Sequence, residues 1–119
     1  MIQAAVVGDE EAAFFAAKRG FVVLGMEEKL QEVVKKAGGI FILFGNGEAD
    51  IKIVTDNPAE AAELMVKSAD VVIVGNGGYC ELVKEIAQVL SKPFVEGSGK
   101  EVVEKAVEKL VRYSLFGKK

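Results

Sequence analysis

The sequence predicts an α/β fold with three layers, in which helices cover both faces of a doubly wound, mostly parallel β-sheet. Short apolar runs alternate with helix-like segments along the chain, and this alternation is typical of parallel βαβ units. The apolar runs are continuous rather than alternating in polarity, as expected of strands that are covered on both faces. Glycines and the two prolines fall at segment ends, where turns and helix boundaries favour them.

The first half of the chain divides into predicted strands and helices of similar length. The acidic segment Asp9-Glu10-Glu11 suits a helix N-terminus, and Gly20 closes the helix that follows. The apolar face of the second helix comprises Leu30, Val33, Val34 and Ala37. In order, the predicted elements are strand Ile2–Val7, helix Ala12–Arg19, strand Phe21–Leu24, helix Met26–Ala37, strand Ile40–Phe44 and strand Ile51–Val54.

The second half continues the alternation. Asn57 is a predicted N-cap and Pro58 the first position of a helix that runs to Ser68. The apolar face of the last helix comprises Val103, Ala106, Val107, Leu110 and Val111. After Ser68, the predicted elements are strand Val71–Val74, helix Tyr79–Leu90, strand Pro93–Val95 and helix Lys100–Tyr113.

Composition narrows the class of protein. The 119 residues fit one domain, spanning residues 1–119, with one core. The net charge of −3 disfavours nucleic acid, whose binders usually carry a basic surplus. No apolar run approaches the roughly 20 residues of a membrane span, and the N-terminus lacks a signal-peptide pattern. We therefore expect a cytoplasmic protein. Its charge, carried mainly by Lys and Glu, suits a thermophilic source.

Missing residue types exclude several kinds of chemistry. The chain has no histidine and one cysteine, Cys80, so it cannot form an internal disulfide, a His-ligated metal site or a Ser-His-Asp or Cys-His site. We predict no metal site, and the sequence identifies no cofactor. Cys80 begins a predicted helix, where a thiolate would be stabilised, and simple packing is the alternative.

The strongest candidate for a binding site is the glycine-rich turn after strand Val71–Val74. Glycines let the backbone approach a ligand, and the start of the next helix offers unpaired N–H groups. Turns after other strands should lie at the same carboxyl edge, where ligands bind in such sheets. A tight turn without a ligand is the alternative. The predicted ligand- or phosphate-binding residues are Gly8, Asp9, Gly25, Gly75, Asn76, Gly77, Gly78 and Tyr79.

These segments resemble the lysine-decarboxylase-like Rossmann proteins, which include the Lonely-Guy cytokinin-activating phosphoribohydrolases and the molybdenum-cofactor carrier proteins. That family carries a strand, a Pro/Gly-Gly-Gly-x-Gly-Thr-x-x-Glu turn and a helix. Here Asn76-Gly77-Gly78-Tyr79 is similar to the start of the motif, and Ser91-Lys92-Pro93 is similar to the start of the family's next strand. The resemblance implies a Rossmann-like fold and a nucleotide or another phosphorylated ligand.

The catalytic positions of that family have changed in this chain. The glutamate at the end of the motif falls on Lys84, and the arginine of the preceding helix falls on Ala61. The second glycine and the threonine fall on Cys80 and Glu81. Glu81 would repel a phosphate if it faced the site, and pairing with Lys84 would partly offset this repulsion. Glu85 lies one position beyond the family glutamate, about 100° around the helix. We therefore predict no catalytic residue, with Glu81 and Glu85 as the remaining carboxylate candidates.

Three functions stay open from the sequence. The leading hypothesis is a non-catalytic binding module for a nucleotide or another phosphorylated small ligand. The alternatives are an active nucleoside-5′-monophosphate phosphoribohydrolase with rearranged residues, and an oligomeric structural or interaction protein without a small ligand.

A homodimer or higher homo-oligomer is also predicted. The helix segment with Phe14 and Phe15 is apolar almost all round, and Leu115 and Phe116 add an apolar end. A partner subunit would cover such a surface. The alternative is that both rings of the helix fit the core of their own chain.

Overall fold

The computed structural model of this protein describes residues 1–116, which form six strands and five helices. None of the helices within these residues is long and apolar enough to cross a bilayer. The elements are β1 (Gln3–Val7), α1 (Glu10–Lys18), β2 (Val22–Gly25), α2 (Leu30–Lys36), β3 (Phe41–Phe44), β4 (Lys52–Ile53), α3 (Pro58–Ser68), β5 (Val71–Val74), α4 (Cys80–Val89), β6 (Phe94–Glu96) and α5 (Gly99–Phe116).

The six strands form one parallel sheet in the order β4-β3-β2-β1-β5-β6. The chain builds outward from β1 through β2 and β3 to β4, and then returns through α3 to β5 on the other side of β1. Strands β1 and β5 pair from Ala4↔Val71 to Val7↔Val74. The direction of winding therefore reverses between β1 and β5, which is the topological switch point of a doubly wound sheet.

Each face of the sheet has its own apolar core, since successive side chains of a strand point to opposite faces. Ala4 and Val6 of β1 belong to the core beneath α1, α2 and α5. Ala5 and Val7 belong to the core beneath α3 and α4. The four residues of β5 are also fully covered. The predicted three-layer, Rossmann-like α/β/α architecture is thereby confirmed.

Two helices begin two or more residues away from the predicted start, and α4 and α5 begin one residue away from it. Helix α1 begins at Glu10, two residues early, because the Asp9 side chain accepts a hydrogen bond from the Ala12 N–H at 3.0 Å. Helix α2 begins only at Leu30 and has no side-chain cap. The preceding residues form a turn instead, in which the Leu30 N–H donates to the Glu27 carbonyl.

The predicted apolar face of the last helix is wrong at its far end, since Val111 is 51% exposed. Helix α5 has 18 residues and is therefore about 27 Å long. The four residues of β5 span only about 13 Å. The last turns of α5 consequently extend beyond the strand that its earlier turns cover.

The chain itself covers most of α1. Ala12, Ala13, Ala16 and Ala17 are buried, and Phe15 packs against the core beneath α1, α2 and α5. Phe14 is partly buried and meets Phe15 edge-on, with ring centroids 5.4 Å apart. The intramolecular alternative therefore accounts for Phe15, and the association of this helix with a second copy stays a prediction.

Candidate functional site

An open cavity of about 500 Å³ lies at the switch point, beyond the carboxyl ends of β1, β2 and β5. Ligand-binding cavities in proteins measure about 300–1,000 Å³, so this one can hold a small molecule. We call it the cleft. It is lined by Val6, Val7, Gly8, Asp9, Glu10, Glu11, Met26, Glu27, Lys29, Asn76, Gly78 and Tyr79.

Gly8 and Gly75 let the turns after β1 and β5 cross in direct backbone contact. Gly8 has φ +78°, and a Cβ on it would lie 2.7 Å from the Asn76 nitrogen. A Cβ on Gly75 would lie 2.7 Å from the Gly8 carbonyl carbon. The Asn76 N–H donates to the Gly8 carbonyl at 3.2 Å. The close backbone packing at the floor of the cleft therefore requires glycine at both positions, whether or not a ligand binds.

Gly77 and Gly78 differ from that pair because their surroundings are open. Both have positive φ, +76° and +53°, and a Cβ on Gly77 would have nothing within 4 Å. Helix α4 begins directly after Tyr79 and has no side-chain cap. Among residues 1–116, no acceptor receives the N–H groups of Gly78 and Tyr79. These donors border the cleft at the positive end of α4, which favours an anionic or carbonyl-bearing ligand.

The Asp9 carboxylate accepts hydrogen bonds at the N-termini of both α1 and α5. One carboxylate oxygen accepts from the Ala12 N–H, and the other accepts from the Gly99 N–H at 3.0 Å. The carboxylate thus satisfies orphan donors at two helix starts. Sequence reasoning placed Asp9 at this edge as a ligand-binding residue, but its partner lies 90 residues away. The N-terminus of α4 is therefore available to a ligand anion, whereas Asp9 already occupies the N-terminus of α1.

Acidic side chains dominate the wall of the cleft opposite α4. Lys29 Nζ lies 3.1 Å from Glu10 Oε2 and 3.9 Å from Glu27 Oε1. The hydrogen bond to Glu10, and then the charge of Glu27, raise the pKa of Lys29 above its ordinary value. The other oxygen of Glu27 lies 3.8 Å from where a Cβ on Gly78 would be. Lys29 is the single cation among the lining residues.

The structure brings together five of the eight predicted binding residues, namely Gly8, Asp9, Asn76, Gly78 and Tyr79. Gly75 and Gly77 belong to the same turn without lining the cleft. Gly25 serves packing, because a Cβ there would lie 2.9 Å from the side chains of Leu30 and Phe41. Sequence reasoning missed the lining residues Glu10, Glu11, Met26, Glu27 and Lys29. Glu10 and Glu11 directly follow Asp9, and the other three belong to the loop after β2, which must reach the same edge as the other turns.

The side chains at the positions that the sequence resemblance aligned with catalytic residues lie outside the cleft. Lys84 Nζ pairs with Glu96 Oε2 at 2.9 Å, so the suggested pairing with Glu81 is replaced by one with the end of β6. Glu81 is exposed and is not a lining residue. Glu85 lies between α3 and α4, on a different surface. Ala61 is buried and lines a smaller neighbouring cavity.

Cys80 and the acidic residues offer neither a nucleophile nor a metal site. The Cys80 thiol is buried and donates to the Val7 carbonyl at 3.7 Å. Burial raises the pKa of this thiol above its ordinary value, and the nearby carboxylates add to the shift. The simple-packing alternative therefore describes Cys80 better than an activated thiolate. Within residues 1–116, no group of three or more Cys, Asp or Glu side chains could hold a metal ion.

The fold and the cleft define a doubly wound, parallel α/β protein with an open cavity at its switch point. No protein-family model and no curated protein matches the sequence. Among solved structures, the chain is similar to the molybdenum cofactor binding protein from the phototrophic bacterium Rippkaea orientalis. The two share 23% identity with a TM-score of 0.64, over 92% of this chain and 82% of that chain. At this identity the likeness shows a common fold.

Proposed function

We propose that this protein is a binding module that holds a nucleotide-like or other phosphorylated small ligand in the cleft without turning it over. The observation that carries the proposal is the open turn Gly77–Tyr79 at the uncapped start of α4, which borders a cavity at the switch point. A phosphate oxygen there would accept from the Gly78 and Tyr79 N–H groups. The solved relative described above is named for binding a small-molecule cofactor, which is compatible with this role.

Two adjoining cavities at the carboxyl edge of the sheet favour a ligand that has a phosphate group and a ring system. A second cavity of about 170 Å³ adjoins the cleft and shares Met26 and Tyr79 with it. Its lining includes Thr55, Asn57 and Ala61, at the start of α3. With a phosphate at the α4 terminus, a ring system could extend past Met26 and Tyr79. This arrangement fits a mononucleotide better than inorganic phosphate alone.

The charge of the cleft restricts the ligand further. Glu27 would repel a phosphate at about 4 Å by roughly 4 kcal/mol at an effective dielectric of 20. The dipole of α4 contributes only about 0.3–1 kcal/mol of attraction. Binding therefore requires the Glu27 carboxylate to turn away from the phosphate, and Lys29 can neutralise part of the phosphate charge.

The absence of turnover is proposed because no side chain suited to the family reaction borders the cleft at the mapped positions. Phosphoribohydrolysis needs a free carboxylate to stabilise the developing sugar cation or to activate water. Of the carboxylates that line the cleft, Asp9 accepts two backbone hydrogen bonds, and Glu10 and Glu27 pair with Lys29. Lys84 is paired with Glu96, and Glu85 lies between α3 and α4. Ala61 can neither hydrogen-bond nor orient an anion.

A thermal-shift screen tests the proposal with nucleoside monophosphates, sugar phosphates and pterin phosphates as probes. A ligand at 100 times its Kd should add about 2.7 kcal/mol of stability. Saturable stabilisation with no released base supports the binding module. Release of free base from a monophosphate would select the phosphoribohydrolase instead. No binding at millimolar concentration would select the structural or interaction protein.

Variants that change the charge of the cleft test whether a detected ligand binds there. Glu27→Gln should tighten a phosphorylated ligand roughly fivefold, since removal of a charge that has turned from the phosphate into solvent is worth about 1 kcal/mol. Lys29→Ala should weaken it. Glu32→Gln is the matched control, because it changes the net charge equally at an exposed position of α2 outside the cleft. Equal effects of Glu27→Gln and Glu32→Gln would contradict the placement.

A further inference from the structure

An apolar groove lies between α3 and α4, on the face of the sheet opposite α1 and α5. It has a volume of about 480 Å³, and we call it the α3–α4 groove. Its apolar lining includes Val89, which is 81% exposed. The side chains that define it are Leu82, Ile86, Val89 and Leu90, with Glu63 and Glu85 as its charged members.

The end of α5 presents the complementary surface. Val111, Leu115 and Phe116 are 51%, 70% and 74% exposed. Val111 and Leu115 are four residues apart, so they lie on the same side of the helix. A helix that offers apolar side chains at this spacing typically binds a hydrophobic groove. These turns extend beyond β5, so they are free to reach another molecule.

Charge favours contact between these two unlike surfaces. Residues 109–116 include Lys109 and Arg112 and no acidic residue, and Arg112 pairs with Glu108 of its own helix at 3.7 Å, with both side chains exposed. In the α3–α4 groove, Glu63 pairs with Lys67 at 3.0 Å, whereas Glu85 makes no ion pair within residues 1–116. Two α3–α4 grooves placed face to face would bring Glu85 against its own copy. An α5 end in the groove instead brings Arg112 to Glu85.

We propose that a second copy of this chain occupies the α3–α4 groove with the end of its α5. A contact between unlike surfaces closes at two chains only when both copies make it across a two-fold axis, and in that arrangement Val89, Leu115 and Phe116 are covered in both copies. The proposal does not depend on the ligand of the cleft, which lies at the opposite end of the strands from the end of α5. It also places the interface away from α1, whose Phe15 packs against the core of its own chain.

Light scattering coupled to size exclusion at micromolar concentration tests the proposal. The wild-type protein should have twice the chain mass of 12.7 kDa. Leu115→Glu and Val89→Glu should each shift it to the monomer, with unchanged circular dichroism because both side chains are exposed. Val54→Glu is the control, as Val54 is 66% exposed beside the edge strand β4 and should leave the dimer intact.

A charge exchange tests the pairing itself. Glu85→Arg and Arg112→Glu should each raise the dimer dissociation constant roughly fivefold or more, and the double variant should recover most of the loss. A wild-type monomer would assign the groove to another protein or an apolar ligand and overturn the proposal. A dimer that survives Leu115→Glu or Val89→Glu, or a double variant no tighter than its single parents, would also overturn it.

Discussion

The double role of Asp9 gives the sharpest stability prediction. Its carboxylate caps α1 through the Ala12 N–H and joins α1 to α5 through the Gly99 N–H. Asp9→Ala removes both hydrogen bonds. Loss of an N-cap costs about 1 kcal/mol, and loss of a hydrogen bond to a charged group costs about 1.5 kcal/mol at the lower end of its range. The expected destabilisation is therefore about 2.5 kcal/mol.

Two comparison variants separate the two hydrogen bonds. Asn57→Ala removes the cap of α3, whose side chain accepts only from the Glu60 N–H at 2.8 Å, and should cost about 1 kcal/mol. Asp9→Asn keeps an oxygen for the Ala12 N–H but places an amide donor against the Gly99 N–H. It should lose about 1.5 kcal/mol, as the bond to Gly99 is lost while the cap is retained.

Urea denaturation followed by circular dichroism measures these differences directly, with thermal melting as a second readout. For 119 residues, the unfolding entropy is about 0.25 kcal/mol/K, so 2.5 kcal/mol corresponds to roughly 10 °C in Tm. The expected order of loss is Asp9→Ala, then Asp9→Asn, then Asn57→Ala. Equal losses for Asp9→Ala and Asn57→Ala would refute the bridge between α1 and α5.

Three further predictions concern the turns around the cleft. Gly8→Ala should destabilise more than Gly20→Ala in denaturant unfolding, since both have positive φ but only Gly8 lacks room for a Cβ; equal losses would contradict the backbone crossing. Cys80 should react with iodoacetamide at pH 8 far more slowly in the folded than in the unfolded protein, because burial raises its thiol pKa; equal rates would contradict this. Purine and pyrimidine monophosphates should release no free base above a no-enzyme control, and base release above that control would contradict the proposed binding module.

The architecture was predictable because local signals and burial agree along the chain. Val71–Val74 is a continuous apolar run between polar residues, and it forms a central, fully buried strand. Asn57 is the N-cap of α3 and Pro58 is its first helical residue, so the predicted start of this helix is also the observed one. Such signals depend on a few residues that are adjacent in the sequence, so they can be recognised without knowledge of the tertiary structure.

The chemistry of the cleft was less predictable because it depends on residues distant in sequence. The hydrogen bond from Gly99 to Asp9 and the ion pair from Lys84 to Glu96 arise from the order of β5, β6 and β1 in the sheet. Helical spacing alone suggested Glu81 as the partner of Lys84. The same limit applies to Glu27, whose position beside Gly78 follows from packing of the loop after β2.

An NMR titration of ¹⁵N-labelled protein with guanosine 5′-monophosphate tests the binding site in the cleft most directly. We predict saturable shifts that are largest at the amides of Gly78 and Tyr79, with smaller shifts at Gly77, Glu27 and Lys29. Glu27→Gln should reach saturation at a lower concentration. Absence of saturation at millimolar nucleotide, or shifts confined to residues distant from the cleft, would contradict the account.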